Sequence, residues 1–489
     1  MAPTHVQSLE VFAAHARSAV RTPFLPSRLG LTVFATGLLG IGFETVGGRV
    51  LAQVLENTVY TFAAVLAVFL LGTSIGAALY QRVAVRRGSI GGPPTGVCEP
   101  RALQGNPSPF MLADLLVGSS LVCLLGVVAL GEAETIFKTC RSTLGDGSLA
   151  VSAAEMEVVS MVFLLPTIFM GATFSHLAQA ARRKDGGVGQ AAALNTFGGA
   201  LAAAFFPVFL LPFIGSKWTL TLISLAYLLL VPRVSGWRWG FLAAPVVLVS
   251  ALPANLHLVQ VHPGGRIVKY REGVMASVAV VEDANRDRVL RVDNRFQMGG
   301  TAAAAAEYRH AHIPLLLHPA PKRALFLGLG TGITFGAASL HPTLQSDGVE
   351  LVPEVVEVMR RFEPYNFAPQ HKPQLKLFVA DARRFVRVTS AKYDVIVADL
   401  FHPARDGAGS LYTLEHFQAI RERLAPGGLF CQWLPLHQLD EDMLRVITRT
   451  FLEVFPGGQG WLLRFNVDAP VIGLVGTVGR PHYSTKNSP

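Results

Sequence analysis

Charge is scarce in this chain. Asp, Glu, Lys and Arg supply 15% of its 489 residues, against about 25% in an ordinary soluble domain, and the mean hydropathy is +0.41. That shortage excludes a wholly soluble globule. Cysteine is scarcer still: Cys98, Cys123, Cys140 and Cys431 stand far apart, without the spacing of a disulfide framework or a zinc site. The first thirty residues lack a short apolar core with a small-residue cleavage site and hold Glu10, Arg17, Arg21 and Arg28, so they read as a retained tail rather than a signal peptide. Acidic side chains are outnumbered 33 to 42 by basic ones, a net charge of +9. Much of the excess lies between apolar runs, where Lys and Arg orient membrane proteins, and nucleic acid is not expected as a partner.

What the sequence has in plenty is apolar stretches near the length of about 20 residues that crosses a bilayer. Seven occur, at 31–48, 58–80, 110–130, 158–180, 191–214, 218–231 and 237–254. Gly37, Gly40, Gly76, Pro166, Gly198, Gly199 and Pro207 inside them are tolerated where neighbouring helices satisfy the freed backbone groups, which points to a bundle in contact with lipid. The expected organisation is a tail (1–30), a transmembrane helical domain of about seven spans (31–256), an α/β domain (257–480) and a C-terminal tail (481–489). With the N-terminus inside, inner segments hold twelve Lys and Arg and outer ones four (Arg49, Lys138, Arg141, Lys217). The positive-inside bias favours that orientation. A multi-pass cell-membrane protein with a cytoplasmic α/β domain is expected, although seven spans from an inside N-terminus put that domain outside unless one run is re-entrant. Glu44 and Asn195 are costly inside hydrocarbon and count as functional candidates; an interhelical hydrogen bond, or a Glu44–Arg49 ion pair, is the bland alternative.

From about residue 257 hydrophobic runs shorten to strand length. "MASVAVVED" and "DRVLRVDN", joined by "DANR", predict a hairpin. Strands at 324–329, 348–352, 375–380, 395–399 and 428–433 then alternate with helical segments at 333–339, 353–362, 381–388, 414–424 and 440–455, the pattern of a doubly wound, Rossmann-like sheet with a small β lid. The first of these strands runs into a glycine turn, "ALFLGLGTGITFG". Gly328, Gly330 and Gly332 allow a ligand close to the backbone, and Glu350, 20 residues after Gly330, is spaced to accept ribose hydroxyls. Ile333 stands where a dinucleotide-binding turn has its third glycine, which favours an S-adenosyl sulfonium ligand over NAD. Asp381 and Ala382 follow the third strand, where they can meet an adenine edge; Asp381 equally suits a helix N-cap. Asp399 ends the fourth strand beside the ligand crevice, desolvated and suited to act as a base. His310, His312 and His318 lack a carboxylate at useful spacing, so structural histidines are preferred over a metal site.

The run of motifs from "NRFQMGG" through "HIPLLLHPAPKRALFLGLGTG", "GVELVPEVVEVMRRF" and "DARRF" to "YDVIVADLFHP", "SLYTLEHF" and "LAPGGLFCQW" resembles the spermidine synthase family of aminopropyltransferases, in the branch fused to a polytopic membrane domain. "LPTIFMGATFSHLAQ" and "ALNTFGGALAAAFFPVFLLPFIG" resemble that branch's membrane half. The resemblance implies a methyltransferase-type Rossmann-like fold and transfer of an aminopropyl group from decarboxylated S-adenosylmethionine to an amine, putrescine or a related one, without a metal. It makes Glu350 the ribose ligand, Asp381 and Ala382 the adenine contacts, Gln297 a lid residue and Asp399 the general base, and it implies a homo-oligomer. The sequence departs from the family at Thr331, where an acidic residue inside the glycine turn holds the aminopropyl ammonium, and at His402, where a second Asp holds the distal amine. The lid histidine is replaced by Glu307, and Glu307 and Asp406 are the carboxylates available to restore the lost charge. Two other functions stay open: a methyltransferase using intact S-adenosylmethionine, which Thr331 would suit, and a transporter whose α/β domain senses an adenosyl ligand.

Overall fold

The computed structural model describes residues 28–55, 59–89, 109–145, 147–182, 187–232, 239–294, 296–401, 407–463 and 469–479. The N-terminal half is helical: α1 (Arg28–Leu51), α2 (Val59–Ser89), α3 (Pro109–Gly131), α4 (Ala133–Leu144), α5 (Ser148–Arg182), α6 (Gly187–Phe205), α7 (Leu211–Leu229) and α8 (Trp239–Leu248). Five helices are long and apolar enough to cross a membrane: Arg28–Leu51, Thr61–Ala84, Met111–Gly131, Leu149–Arg182 and Gly187–Leu229. The first four fall on the first four apolar runs of the sequence. The fifth covers two more, joined through a π-helical turn at Phe206–Leu210 and broken at Gly215, whose φ of 74° no helix uses. In the last run the 10 residues of α8, continued by a 3-10 turn at Val249–Ala251, fall short of the roughly 20 that a span needs.

The helices meet through their small residues. A Cβ at Gly37 would lie 2.1 Å from the Asn195 carbonyl oxygen, one at Gly76 1.9 Å from that of Ile168 and one at Gly198 2.2 Å from that of Phe34, so α1 against α6 and α2 against α5 pack backbone to backbone. The core between them, around Phe43, Val127, Phe163, Phe206 and Tyr227, is continuous.

The C-terminal half opens with a four-stranded antiparallel sheet, β1 (Arg266–Glu272), β2 (Ser277–Glu282), β3 (Arg288–Val292) and β4 (Phe296–Gly300). The predicted hairpin is its central pair, with Glu282 opposite Arg288. Helix α9 (Ala304–Leu317) leads into the main domain: β5 (Arg323–Leu327), α10 (Ile333–Ala337), β6 (Gln345–Glu350), α11 (Pro353–Val358), β7 (Leu375–Val379), α12 (Ala382–Val388), β8 (Tyr393–Ala398), α13 (Leu414–Arg423), β9 (Leu424–Pro435), α14 (Glu441–Val454), β10 (Gln459–Leu463) and β11 (Val471–Thr477). The seven strands lie in the order β10-β11-β9-β8-β5-β6-β7. β5 to β9 are parallel, and β11 enters antiparallel between β9 and β10. β5 and β8 are apolar runs covered on both faces, as internal parallel strands must be: Phe326 and Val397 pack into one core, Leu325 and Ile396 into the other. The chain winds outward from β5 in both directions, so a topological switch point opens beside β5 at the carboxyl ends of the strands, where such sheets hold ligands.

Candidate active site

The glycine turn occupies that switch point. Gly328, Gly330 and Gly332 have φ of 79°, 52° and 78°, values a side chain would strain, and the turn delivers α10 almost at once. Space is as limiting as conformation: a Cβ at Gly336 would lie 1.8 Å from the Asn366 carbonyl oxygen. The Asn366 carboxamide is fully buried and donates to the Thr331 and Met359 carbonyls at 3.0 and 2.8 Å. Sequence reasoning did not single out Asn366; its one signal is an amide residue in the loop after α11.

Three carboxylates converge on the turn. Glu350, at the end of β6 and 3% exposed, accepts from Leu329 and Gly330 backbone N–H at 3.0 and 3.2 Å and from Val352 N–H at 3.0 Å. It therefore holds the turn as well as standing at its mouth; a carboxylate has about four lone-pair sites, so little acceptor capacity is left for a ligand. Asp399 follows β8, its backbone N–H bound to the Leu327 carbonyl at 3.0 Å, and one carboxylate oxygen accepts from Leu400 N–H at 2.8 Å. Burial pushes its pKa up to about 6; the Leu400 bond opposes the shift and the Glu350 charge adds to it.

The third carboxylate is Glu307, in the first turn of α9. One oxygen accepts from the Gly300 N–H at 2.9 Å and the other from the Thr331 hydroxyl at 2.7 Å. A side chain at Gly299, where φ is 85°, would occupy the Glu307 position, since a Cβ there lies 2.4 Å from its oxygen. Burial pushes Glu307 up to about 7, against the two hydrogen bonds and with a smaller contribution from the Asp399 charge. The lid strand β4 thus meets the catalytic sheet through a carboxylate, and the Met298 carbonyl comes within 3.0 Å of where a Gly330 Cβ would be.

Other site residues fall around this centre. Gln297 is exposed on β4, opposite Arg291 of β3. Asp381 caps α12 by accepting from Arg384 N–H at 2.7 Å, so its helix-capping reading holds, and Ala382 begins that helix. Asp381 also rims a cavity of about 400 Å³ lined by Phe378, Phe385 and Val388. His402 and Asp406 lie outside the described residues. The histidines are dispersed: His310 stacks on Trp433 at 4.9 Å and His312 contacts His341 at 3.0 Å. Among the described residues no group of three or more His, Cys, Asp or Glu is arranged to hold a metal. Gln432 was not foreseen; buried on β9, it donates to the Asp399 carbonyl at 3.2 Å.

The profile of the spermine/spermidine synthase domain matches residues 307–459, from Glu307 itself through the glycine turn, Asp399 and the last parallel strand to the start of β10. The C-terminal region is a spermine/spermidine synthase domain. Among curated relatives, a spermidine synthase of Dictyostelium discoideum is 27% identical over 205 residues, 42% of this chain and 71% of the relative. Putrescine N-methyltransferase 2 of Nicotiana tabacum is 31% identical over 191 residues, 38% of this chain and 52% of its own length. The chain thus spans about half the length of the tobacco relative. A solved spermidine synthase from Thermotoga maritima aligns at 22% identity with a TM-score of 0.40, over 44% of this chain and 73% of that one. The domain match indicates, for the C-terminal region, a transferase of the aminopropyltransferase type.

Proposed function

We propose that this chain is a membrane-bound aminopropyltransferase that moves the aminopropyl group of decarboxylated S-adenosylmethionine to an amine, putrescine or a relative, and releases methylthioadenosine. The observation that carries the reading is the Glu307 carboxylate on the Thr331 hydroxyl, 2.7 Å away. The glycine turn has no acid of its own, yet α9 supplies one to it. An aminopropyl group ends in an ammonium where the methionyl group of the intact donor also carries a carboxylate, so an anion at this point favours the decarboxylated donor and repels the intact one.

In this reading Glu350 receives a ribose hydroxyl on the one acceptor site that its three backbone bonds leave, Asp381 and Ala382 the adenine edge, the backbone of Gly328, Gly330 and Gly332 passes under the sulfonium, and Gln297 closes over the acceptor, with His402 and Asp406 as further amine contacts. Asp399 takes the proton from the attacking ammonium, which has an ordinary pKa of about 10.4 and must lose it to become nucleophilic. The amine nitrogen bonds to the carbon next to sulfur, the C–S bond breaks, and its electron pair neutralises the sulfonium. The five apolar helices support a location in the cell membrane, and a dimer or larger homo-oligomer belongs to the same reading.

The test compares both donors on the full chain in detergent by calorimetry. Decarboxylated S-adenosylmethionine is expected to bind more tightly, and Glu307→Gln to narrow the gap. Preference for the intact donor with methyl transfer to an amine would replace the proposal by a methyltransferase; binding with no turnover of any amine would leave a sensing domain.

A further inference from the structure

We propose that the helical bundle holds a second amine site, separate from the α/β domain: an intramembrane cavity that takes an organic ammonium ion on hydroxyl oxygens and aromatic faces, with Glu44 as its counter-charge. The cavity measures about 370 Å³ and lies between α1, α2, α5, α6 and α7, within the range of small-molecule sites. Among the described residues no charged side chain of either sign lines it, and Glu44 stands outside the lining, one turn of α1 beyond the lining residue Gly40.

Four of its hydroxyls present acceptors. The Thr36 hydroxyl proton is committed to the Val33 carbonyl at 2.9 Å, that of Thr73 to Phe69 at 3.0 Å, that of Ser74 to Leu70 at 2.8 Å and that of Thr173 to Phe169 at 2.7 Å. Each oxygen keeps its lone pairs for the cavity, so the complementary guest carries N–H or O–H donors. The rings of Phe69, Phe174 and Tyr227 in the same wall add the faces that attract cations. Tyr227 is fully buried and its hydroxyl has no hydrogen-bond partner among the described residues, an uncommon state for a buried polar atom unless a ligand or water completes it. Gly40 keeps the space in front of it open: a Cβ there would lie 3.4 Å from the Met170 sulfur and 3.8 Å from the Tyr227 oxygen.

Glu44 separates an ammonium guest from a neutral one. It stands one turn beyond Gly40 on the face of α1 that also carries Gly37 and Ile41, is half-buried, and has no hydrogen-bond or ion-pair partner among the described residues. A lone carboxyl in hydrocarbon is costly and marks a pathway or a site; a lipid hydroxyl would use the acceptors but leave Glu44 unexplained. One further turn on, a Cβ at Gly48 would meet nothing within 4 Å; just past the end of α1, the Gln53 carbonyl accepts from Asn294 of the lid region at 3.2 Å.

The site is argued from the bundle alone and stands or falls independently of the aminopropyl reading. The test uses the full chain in lipid nanodiscs with radiolabelled putrescine in equilibrium dialysis. Glu44→Gln and Gly40→Leu are each expected to weaken one equivalent of bound putrescine by about tenfold or more, the effect of removing a buried charge partner or the space itself, with release of methylthioadenosine unchanged. Loss of amine binding at the α/β site alone would sink the proposed function and leave this one; equal binding in wild type and both variants would overturn it. A wild-type measurement removes dependence on variant folding: putrescine should slow labelling of Glu44 by an apolar carbodiimide. An unchanged labelling rate, or a co-purified neutral lipid in the cavity that putrescine does not displace, refutes the amine site.

Discussion

At the scale of single residues, the site is a problem of three acids in one crevice. Glu350 is held by three backbone N–H groups, whereas Asp399 and Glu307 are both pushed up by burial, to about 6 and about 7. If Asp399 is the base, Asp399→Asn should keep the fold and donor affinity while lowering turnover by about 10² to 10⁴, the usual contribution of a positioned base, and raising the pH toward the amine's own pKa should restore part of the mutant's rate relative to wild type. Single-turnover kinetics with donor affinity measured in parallel separates the two effects; full activity would remove Asp399 from the mechanism. The pH dependence has a definite sign. Ionised Asp399 and Glu307 are the working forms, so kcat/KM should rise with pH through 6 and 7 as a coupled pair. Their folded pKa values exceed the unfolded ones, so their contribution to stability is complete below about pH 4 and is lost as the pH rises through 6 and 7. Thermal melts from pH 5 to 8 should therefore show this contribution falling while activity rises, and Glu307→Gln should flatten both trends near pH 7.

At the scale of elements, the turn between β5 and α10 is fixed from two sides, by Glu350 below and by Asn366 behind. Glu350→Gln replaces one acceptor oxygen by a donor facing N–H groups, and should weaken adenosyl binding by roughly 1 to 3 kcal/mol, the range for a lost charged hydrogen-bond partner; calorimetry on the full chain reads it, and unchanged affinity would remove Glu350 from the site. Gly336→Ala places a methyl 1.8 Å from the Asn366 carbonyl oxygen. Since backbone must move, a cost of about 1 to 3 kcal/mol is expected, visible as a lower denaturation midpoint of the α/β domain. A midpoint equal to wild type would mean the loop at Asn366 yields freely and does not brace the turn.

At the scale of the whole molecule, the lid sheet joins the helical half to the α/β half. Glu272 at the end of β1 accepts from the Ser216 backbone N–H at 2.6 Å and its hydroxyl at 3.0 Å, directly after the break in the bundle at Gly215, and from the Tyr270 hydroxyl at 3.2 Å. Arg49 of α1 donates to the Val274 carbonyl, an outcome for that arginine different from the ion pair with Glu44 weighed in the sequence. The same lid reaches Glu307 through Gly300, so bundle and active site share a mechanical neighbour. Glu272→Ala should leave both halves folded but loosen β1: faster hydrogen exchange over 266–272 and a raised KM for the amine, with donor affinity kept. Exchange rates equal to wild type would show that the contact carries no load.

Much of this was legible in the chain itself. Period and turn chemistry located β2, β3, all five parallel strands and the helices between them to within a few residues, because buried parallel strands are short apolar runs bounded by glycine and polar turns. The glycine turn, Glu350 and Asp399 followed from their positions at strand ends. Weakly patterned β1 and β4, helix α9 and the β10–β11 pair were not assigned, since edge strands, a helix holding Pro314 and an antiparallel return have little periodicity of their own. Apolar length marked where helices run but not that the fifth and sixth runs share one helix broken at Gly215, which depends on a single φ. Nor did the sequence decide what Thr331 does: the chain lists it as an acid lost from the turn, and only the packing of α9 against that turn brings Glu307 to its hydroxyl, across 24 residues. Local pattern fixes which atoms exist and roughly how the backbone runs; which charges become neighbours is set by the close packing of elements distant in sequence, and no local rule encodes that.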